Sequence, residues 1–285
     1  MVGSHGCFVW YELTTTDAEA AKAFYTAVVG WGTRDASMPG AAYTLFTAGE
    51  VPVAGLMALP AEARKMGAQP RWTGYVGVDD VDAATERLKR LGGTVYVPPT
   101  DVPDVSRFSI VADPQAATLA LVKWLNPGQE QPAAPTSPGH VGWHELSAVD
   151  WEKAFAFYVE LFGWQKVDAD FGEIGTYLLF SAGGHSIGGM FTKPSTVPMP
   201  FWLYYFNVGD VDAAAKRVKS GGGKILEGPI EARGDNRIAR CTDPQGAMFA
   251  LRTGRPNPVG YFGRAAADDP AATRLFVSKK AGPNA

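Results

Sequence analysis

The chain has 285 residues, more than one average domain, and 46% of them are hydrophobic, enough to build a core in each of two domains. Charge is nearly balanced, with 26 Lys plus Arg against 29 Asp plus Glu, which leaves no basic surface of the kind a nucleic acid or anionic membrane needs. No segment approaches the roughly 18 uninterrupted apolar residues of a membrane span, the opening MVGSHGCFVWYEL lacks the basic and then long apolar pattern expected of a leader, and Cys7 and Cys241 form no CxxC or disulfide pattern, so a cytoplasmic protein without nucleic-acid or membrane partners is expected.

In chain order, residues 7–13 read as an extended segment and 17–29 as a helix, followed by extended segments near 43–46 and 51–57. The pattern then recurs: extended 72–78, helix 80–91, and extended segments near 94–97, 108–111 and 119–122. Asp17, Asp80, Asp150 and Asp210 each precede an alanine-rich run as an N-cap carboxylate, and Gly30, Gly92, Gly163 and Gly221 stand at or near the ends of these runs. β-Branched and aromatic runs broken by Gly and Pro carry the extended segments. Short helices of this kind each cover one face of a sheet and leave the other free to line a site.

The whole pattern then repeats. WYELTTTDAEAAKAFYTAVVGW (10–31) answers WHELSAVDWEKAFAFYVELFGW (143–164), and VDDVDAATERLKRLGG (78–93) answers VGDVDAAAKRVKSGGG (208–223). Arg107 with its following DPQ answers Arg237 with its own. Such ordered recurrence marks a duplicated domain. The boundaries read as 1–125 and 140–252, with a Pro-rich linker at 126–139 and a tail at 253–285. The tail is expected to hold one short helix around 268–276 and to fray at SKKAGPNA.

The D…FY…GW and VxDVDAA…GG…R…DPQ signatures resemble the vicinal oxygen chelate superfamily, the glyoxalase, bleomycin resistance protein and extradiol dioxygenase group. The closer likeness is to two-domain bacterial glyoxalase-like proteins. It covers about residues 7–124 and 140–252. The resemblance implies an α+β fold: four βαβββ modules forming two glyoxalase/bleomycin-resistance-like domains, with curved mixed sheets wrapped as a partly open barrel around a cleft.

It also implies a divalent metal held by His and Glu on the first and last strands of each module, acting as a Lewis acid. The matching positions here are Trp10, Thr73, Trp143 and Leu203, then Ala120 and Ala250, with the remaining position near 55–57 and 189–191. None is a His or carboxylate, and His5, His140, His144 and His185 occupy no expected ligand position. No metal and no other cofactor is therefore expected.

What remains for a cleft is aromatic and acidic. In a strand Trp10 and Glu12 share a face, as do Trp143 and Glu145, so each cleft receives an indole and a carboxylate. An unpaired buried carboxylate is costly, and Arg107 and Arg237 are the candidate partners. Such a Glu–Arg pair reads either as a ligand anchor or as a scaffold element. Trp72, Trp202 and Tyr204 complete the candidate ligand-binding set, while Phe24, Tyr25, Phe157 and Tyr158 read as helix core. Catalytic residues stay unassigned: GHSIGG (184–189) is no nucleophile elbow, and GGGK (221–224) is no phosphate loop.

Three functions fit. The expected one is a metal-free binding protein taking an aromatic or hydrophobic small molecule, as a monomer or weak homodimer. The alternatives are a metal-dependent family enzyme, either a glyoxalase-like lyase or isomerase or a dioxygenase, and a structural or regulatory protein with vestigial clefts.

Overall fold

Four aspartates start four helices. In the computed structural model, which describes residues 4–38, 40–126, 136–167, 177–232 and 236–253, the side chains of Asp17, Asp80, Asp150 and Asp210 accept from the backbone N–H of Ala20, Ala83, Lys153 and Ala213. Each satisfies a donor that the first helical turn leaves unpaired. Gly30 and Gly163 close the first helix of each half in the left-handed region, at φ 87° and 73°, where a side chain would be strained.

The first half runs β1 (Phe8–Thr15), α1 (Ala18–Val29), β2 (Gly32–Asp35), β3 (Thr44–Ala48), β4 (Val51–Ala58), α2 (Ala61–Lys65), β5 (Arg71–Gly77), α3 (Val81–Arg90), β6 (Thr94–Val102), β7 (Ser106–Ala112) and β8 (Thr118–Trp124). The second runs β9 (Val141–Ala148), α4 (Trp151–Phe162), β10 (Gln165–Val167), β11 (Tyr177–Ala182), β12 (His185–Thr192), β13 (Phe201–Val208), α5 (Val211–Ser220), β14 (Lys224–Ala232), β15 (Asn236–Thr242) and β16 (Met248–Thr253). Four βαβββ repeats are thus present. The short helix α2 and the short edge strands β2 and β10 carry too little apolar alternation to be read from sequence. Most of the expected linker and the tail, including the helix around 268–276, lie outside the described residues.

Each half forms one eight-stranded mixed sheet, ordered β2-β3-β4-β1-β5-β8-β7-β6 and β10-β11-β12-β9-β13-β16-β15-β14. The curved, barrel-like sheets implied by the resemblance are not what forms: neither sheet is curled or closed. The reason lies in how the modules join. They meet edge to edge through the antiparallel pairs β1–β5 and β9–β13, so the eight strands extend sideways. The outermost strands, β2 and β6 in the first sheet and β10 and β14 in the second, are not paired with one another.

The two sheets meet on their helical faces. Helix α1 buries Ala21, Phe24, Tyr25 and Val28, a stripe at helical spacing, and Tyr25 packs against Phe206 and Phe249 of the opposite sheet. The Tyr25 hydroxyl donates to Asp243 of the second half at 3.1 Å, and the Tyr158 hydroxyl donates to Asp113 of the first, also at 3.1 Å. One apolar cluster therefore runs through both halves, each fully buried Leu or Phe in it stabilising by about 1.5–3 kcal/mol.

At the centre, equivalent residues of the two repeats touch. The backbone N–H of Gly74 donates to the hydroxyl of Tyr204, 130 positions later, at 2.7 Å. A Cβ on Gly74 would stand 2.7 Å from the Tyr204 ring. No described helix is long and apolar enough to cross a membrane.

Candidate active site

Opposite the helices, each sheet presents a helix-free face, and the WxEL motifs lie at its middle. Trp10 pairs with Tyr75 and Glu12 with Thr73 across β1 and β5, while Gly55 of β4 flanks Glu12 on the other side. Directly paired residues share a face, so the register alone brings Trp10, Glu12 and Tyr75 together. Tyr43, just before β3, completes the group by lying over Gly55, where a Cβ would stand 1.8 Å from its hydroxyl oxygen.

The polar contacts form a chain. Trp10 Nε1 donates to the Tyr43 hydroxyl at 3.3 Å, and that hydroxyl donates to Glu12 Oε2 at 2.9 Å. Tyr75 donates to Glu12 Oε1 at 3.0 Å. Glu12 is half-buried and makes no ion pair among the described residues, so neutral phenols are its partners. Burial pushes its carboxyl above the ordinary range, against the lowering effect of the Tyr43 and Tyr75 hydrogen bonds. Burial, reinforced by the charge of Glu12, pushes both phenols well up and keeps them protonated.

The second half repeats the constellation. Trp143 Nε1 donates to the Tyr177 hydroxyl at 3.0 Å, Tyr177 donates to Glu145 Oε2 at 3.1 Å, and Tyr205 donates to Glu145 Oε1 at 3.0 Å. Gly189 again makes room for the tyrosine ring. Here a cation joins: Arg240 Nη2 donates to Glu145 Oε1 at 2.8 Å, its Nε donates to Tyr205 at 3.1 Å, and its Nη1 is paired with Glu227. Glu145 is 6% exposed. Burial works against the Arg240 charge, yet Glu145, Tyr205 and Glu227 more than offset it and hold the guanidinium protonated.

Of the residues singled out from sequence, Trp10, Glu12, Trp143 and Glu145 lie together on the helix-free faces. Trp72, Trp202 and Tyr204 lie on the opposite faces, in the apolar cluster between the sheets. There the indoles of Trp72 and Trp202 donate to Tyr25 and Tyr158 at 2.8 and 3.3 Å. Arg107 and Arg237 do not reach the glutamates. Arg107 pairs with Asp82 and Asp101, and Arg237 with Asp212 and Glu231, so they tie strands to the first turns of α3 and α5. The true partner of Glu145 is Arg240, three residues further along the same strand.

Sequence reasoning missed Arg240 and Glu227, and it chose Tyr204 over Tyr205. The signal for the tyrosine was available. Leu203 pairs with Glu145, so alternation puts Leu203 and Tyr205 on the helix-free face and Trp202 and Tyr204 behind it.

A model of the Glyoxalase/Bleomycin resistance protein/Dioxygenase superfamily matches residues 8–121 and again residues 138–251. The chain belongs to this superfamily. A Mycobacterium tuberculosis relative, CFP32, whose naming as a glyoxylase is provisional, is 33% identical over 244 residues, which are 85% of this chain and 92% of that protein. Among solved structures, the Mn(II)-bound glyoxalase of Novosphingobium aromaticivorans superposes with a TM-score of 0.59 at 18% identity, covering 88% of this chain and 82% of that one. The 2,3-dioxygenase LapB of Pseudomonas sp. KL28 gives 0.61 at 13% identity, covering 90% and 96%. These structures carry enzyme names, one with its metal bound. The expectation of a metal-free binding protein does not stand against these relatives, whose names favour its alternative, a superfamily enzyme.

The donor set tells a different story from the fold. Among the described residues no group of three or more His, Cys, Asp or Glu is placed to hold a metal ion. Each constellation offers one carboxylate and two phenols that burial keeps protonated, and neutral phenols are weak ligands for a divalent ion. Ala120 and Ala250 pair with Tyr75 and Tyr205 on the last strands. The described residues therefore do not fit the superfamily metal.

Proposed function

We propose that the chain is a glyoxalase-like lyase or isomerase of the superfamily, acting on a small molecule at the helix-free face built around Glu12. The glyoxalase-like reading is preferred to a dioxygenase because the relative bearing that name is 33% identical across most of both chains, whereas the dioxygenase likeness rests on 13% identity. The observation that carries the proposal is a half-buried carboxyl, pushed up by burial and held by two phenols, with no cation paired to it among the described residues.

A carboxyl tuned upward is a stronger base than an ordinary one and is suited to take and return a proton. In the ionised form Glu12 accepts a proton from a carbon next to a carbonyl. Tyr43 and Tyr75 hold its two oxygens in place, and Trp10 fixes Tyr43 in turn. Once protonated, the same carboxyl donates to a neighbouring carbon or oxygen of the intermediate, which completes an isomerisation without net change in proton count.

The test is turnover of hemithioacetals formed from 2-oxoaldehydes and a thiol, with and without added Mn(II). Glu12→Gln should lose about 100-fold or more in turnover while remaining folded. Full activity in Glu12→Gln, or no turnover of any hemithioacetal by the parent, would refute the assignment. The same reading takes residues 1–125 and 140–252 as the two domains, 126–139 as their linker and 253–285 as a tail. It also takes the protein as a cytoplasmic monomer or weak homodimer, which sedimentation would check.

A further inference from the structure

We propose that the two helix-free faces have divided their roles, the Glu12 face remaining open for reaction and the Glu145 face having become a closed internal brace. The inference rests on the reading of Glu12 given above for what the open face does, but not for the division itself.

Both faces hold the same Trp, Glu and two Tyr in the same hydrogen-bond pattern. They differ in charge at three matched positions, which strand register identifies. Val97 faces Ile110 across β6 and β7, where Glu227 faces Arg240 across β14 and β15. Likewise Val122 lies opposite Phe108 where Arg252 lies opposite Ile238. Three apolar side chains in the first half thus correspond to Glu227, Arg240 and Arg252 in the second.

The consequence for the two glutamates is opposite. Glu145 receives three donors, one of them a guanidinium at 2.8 Å, and Arg240 is itself engaged by Glu227 and Tyr205. Arg252 is 5% exposed and donates to the carbonyl of Gly142 at 2.9 Å. A substrate reaching Glu145 would have to break a desolvated ion pair. Glu12 receives two neutral donors and keeps part of its surface open. Around it Trp10 and Trp124 meet edge to face at 6.0 Å. The open face therefore suits an uncharged, flat molecule carrying a carbonyl or hydroxyl oxygen. An anion would meet Glu12 with no guanidinium paired to it among the described residues.

The test uses the full-length protein and N,N′-dicyclohexylcarbodiimide, a neutral apolar reagent that attacks protonated carboxyls. The carboxyl oxygen adds to the carbodiimide carbon while its proton passes to nitrogen. Acyl transfer within the adduct then leaves a stable N-acylurea that peptide mass spectrometry locates. Labelling of Glu12 should exceed that of Glu145, which is buried and held by Arg240, by about ten-fold or more. Ile110→Arg, which brings a guanidinium to the first face, should suppress the Glu12 adduct. Equal labelling of both glutamates, labelling of Glu145 alone, or labelling of neither would overturn the division. Labelling is read without turnover, so a failed division and a failed enzymatic reading are distinguishable. Equal labelling sinks the former, and undiminished turnover by Glu12→Gln sinks the latter.

Discussion

Tyr11 and His144 occupy equivalent positions 133 residues apart, and the side chain of one binds the side chain of the other at 2.6 Å. The carbonyl of Ile187 accepts from His144 Nδ1 at 2.6 Å, which places the ring proton there and leaves Nε2 to accept from the Tyr11 hydroxyl. Phe8 stacks on the imidazole at 4.1 Å between centroids. The pair thus sits on the axis relating the halves, buried from both. A phenol and an imidazole complement each other there, one donating and one accepting.

Burial drives the His144 imidazole down to about 4, against roughly 6.5 in an unfolded chain. On acidification the unfolded chain binds the proton first. The stability His144 contributes is complete above about pH 6.5 and is lost as the pH falls toward 4, by about 3 kcal/mol over the window. Asp113, Asp243 and Glu12, whose carboxyls burial pushes up, act in the opposite sense, so a difference is the right measurement. The Tm advantage of the parent over His144→Gln should shrink between about pH 7 and 4.5. A gap that stays constant with pH would show that His144 does not titrate as its burial requires.

Gly55→Ala should displace Tyr43 rather than unfold the sheet, because the clash at 1.8 Å is with the far end of a side chain. Glu12 then loses one of its two donors, at a cost of about 1 kcal/mol. Since that hydrogen bond lowers the carboxyl, its loss moves the acid limb of the pH–rate profile upward. A profile identical to that of the parent, with Tyr43 still on Glu12 in a crystal structure of the variant, would contradict this.

Arg240→Met leaves Glu145 buried with its charge uncompensated, and urea denaturation should show a loss of about 3 kcal/mol. The double variant Glu145→Gln, Arg240→Met should recover part of it, because Glu145 no longer carries a charge and only the partly exposed Glu227 is left without Arg240. Equal losses in the single and double variants would mean that the two residues are not coupled.

The repeats made most of the fold legible. Each aspartate that precedes an alanine-rich run does cap a helix, and the aromatic pairs Phe24/Tyr25 and Phe157/Tyr158 are buried in the helix stripes. The shape of the sheets was not legible, because strand propensity reports which segments pair and not whether the outermost strands find each other. At the site, alternation within WYEL and WHEL placed the indoles and carboxylates on one face. Arg240 escaped notice because its match in the first repeat is Ile110, so a search for what the repeats share passes over it. Arg107 and Arg237 drew attention because they do match, yet their shared task is to anchor strands to helices through Asp82 and Asp212.

The contact between Gly74 and Tyr204 bears on how such a chain can change over time. In a dimer of two identical copies, a residue on the symmetry axis faces itself, so any substitution alters both sides at once. Two glycines there would leave a gap, and two tyrosines would collide. Joining the copies in one polypeptide lifts that restriction, and a void in one half can be filled by a ring from the other. The halves have thereby ceased to be interchangeable: neither is suited to pair with a duplicate of itself, and each now carries the shape its neighbour needs.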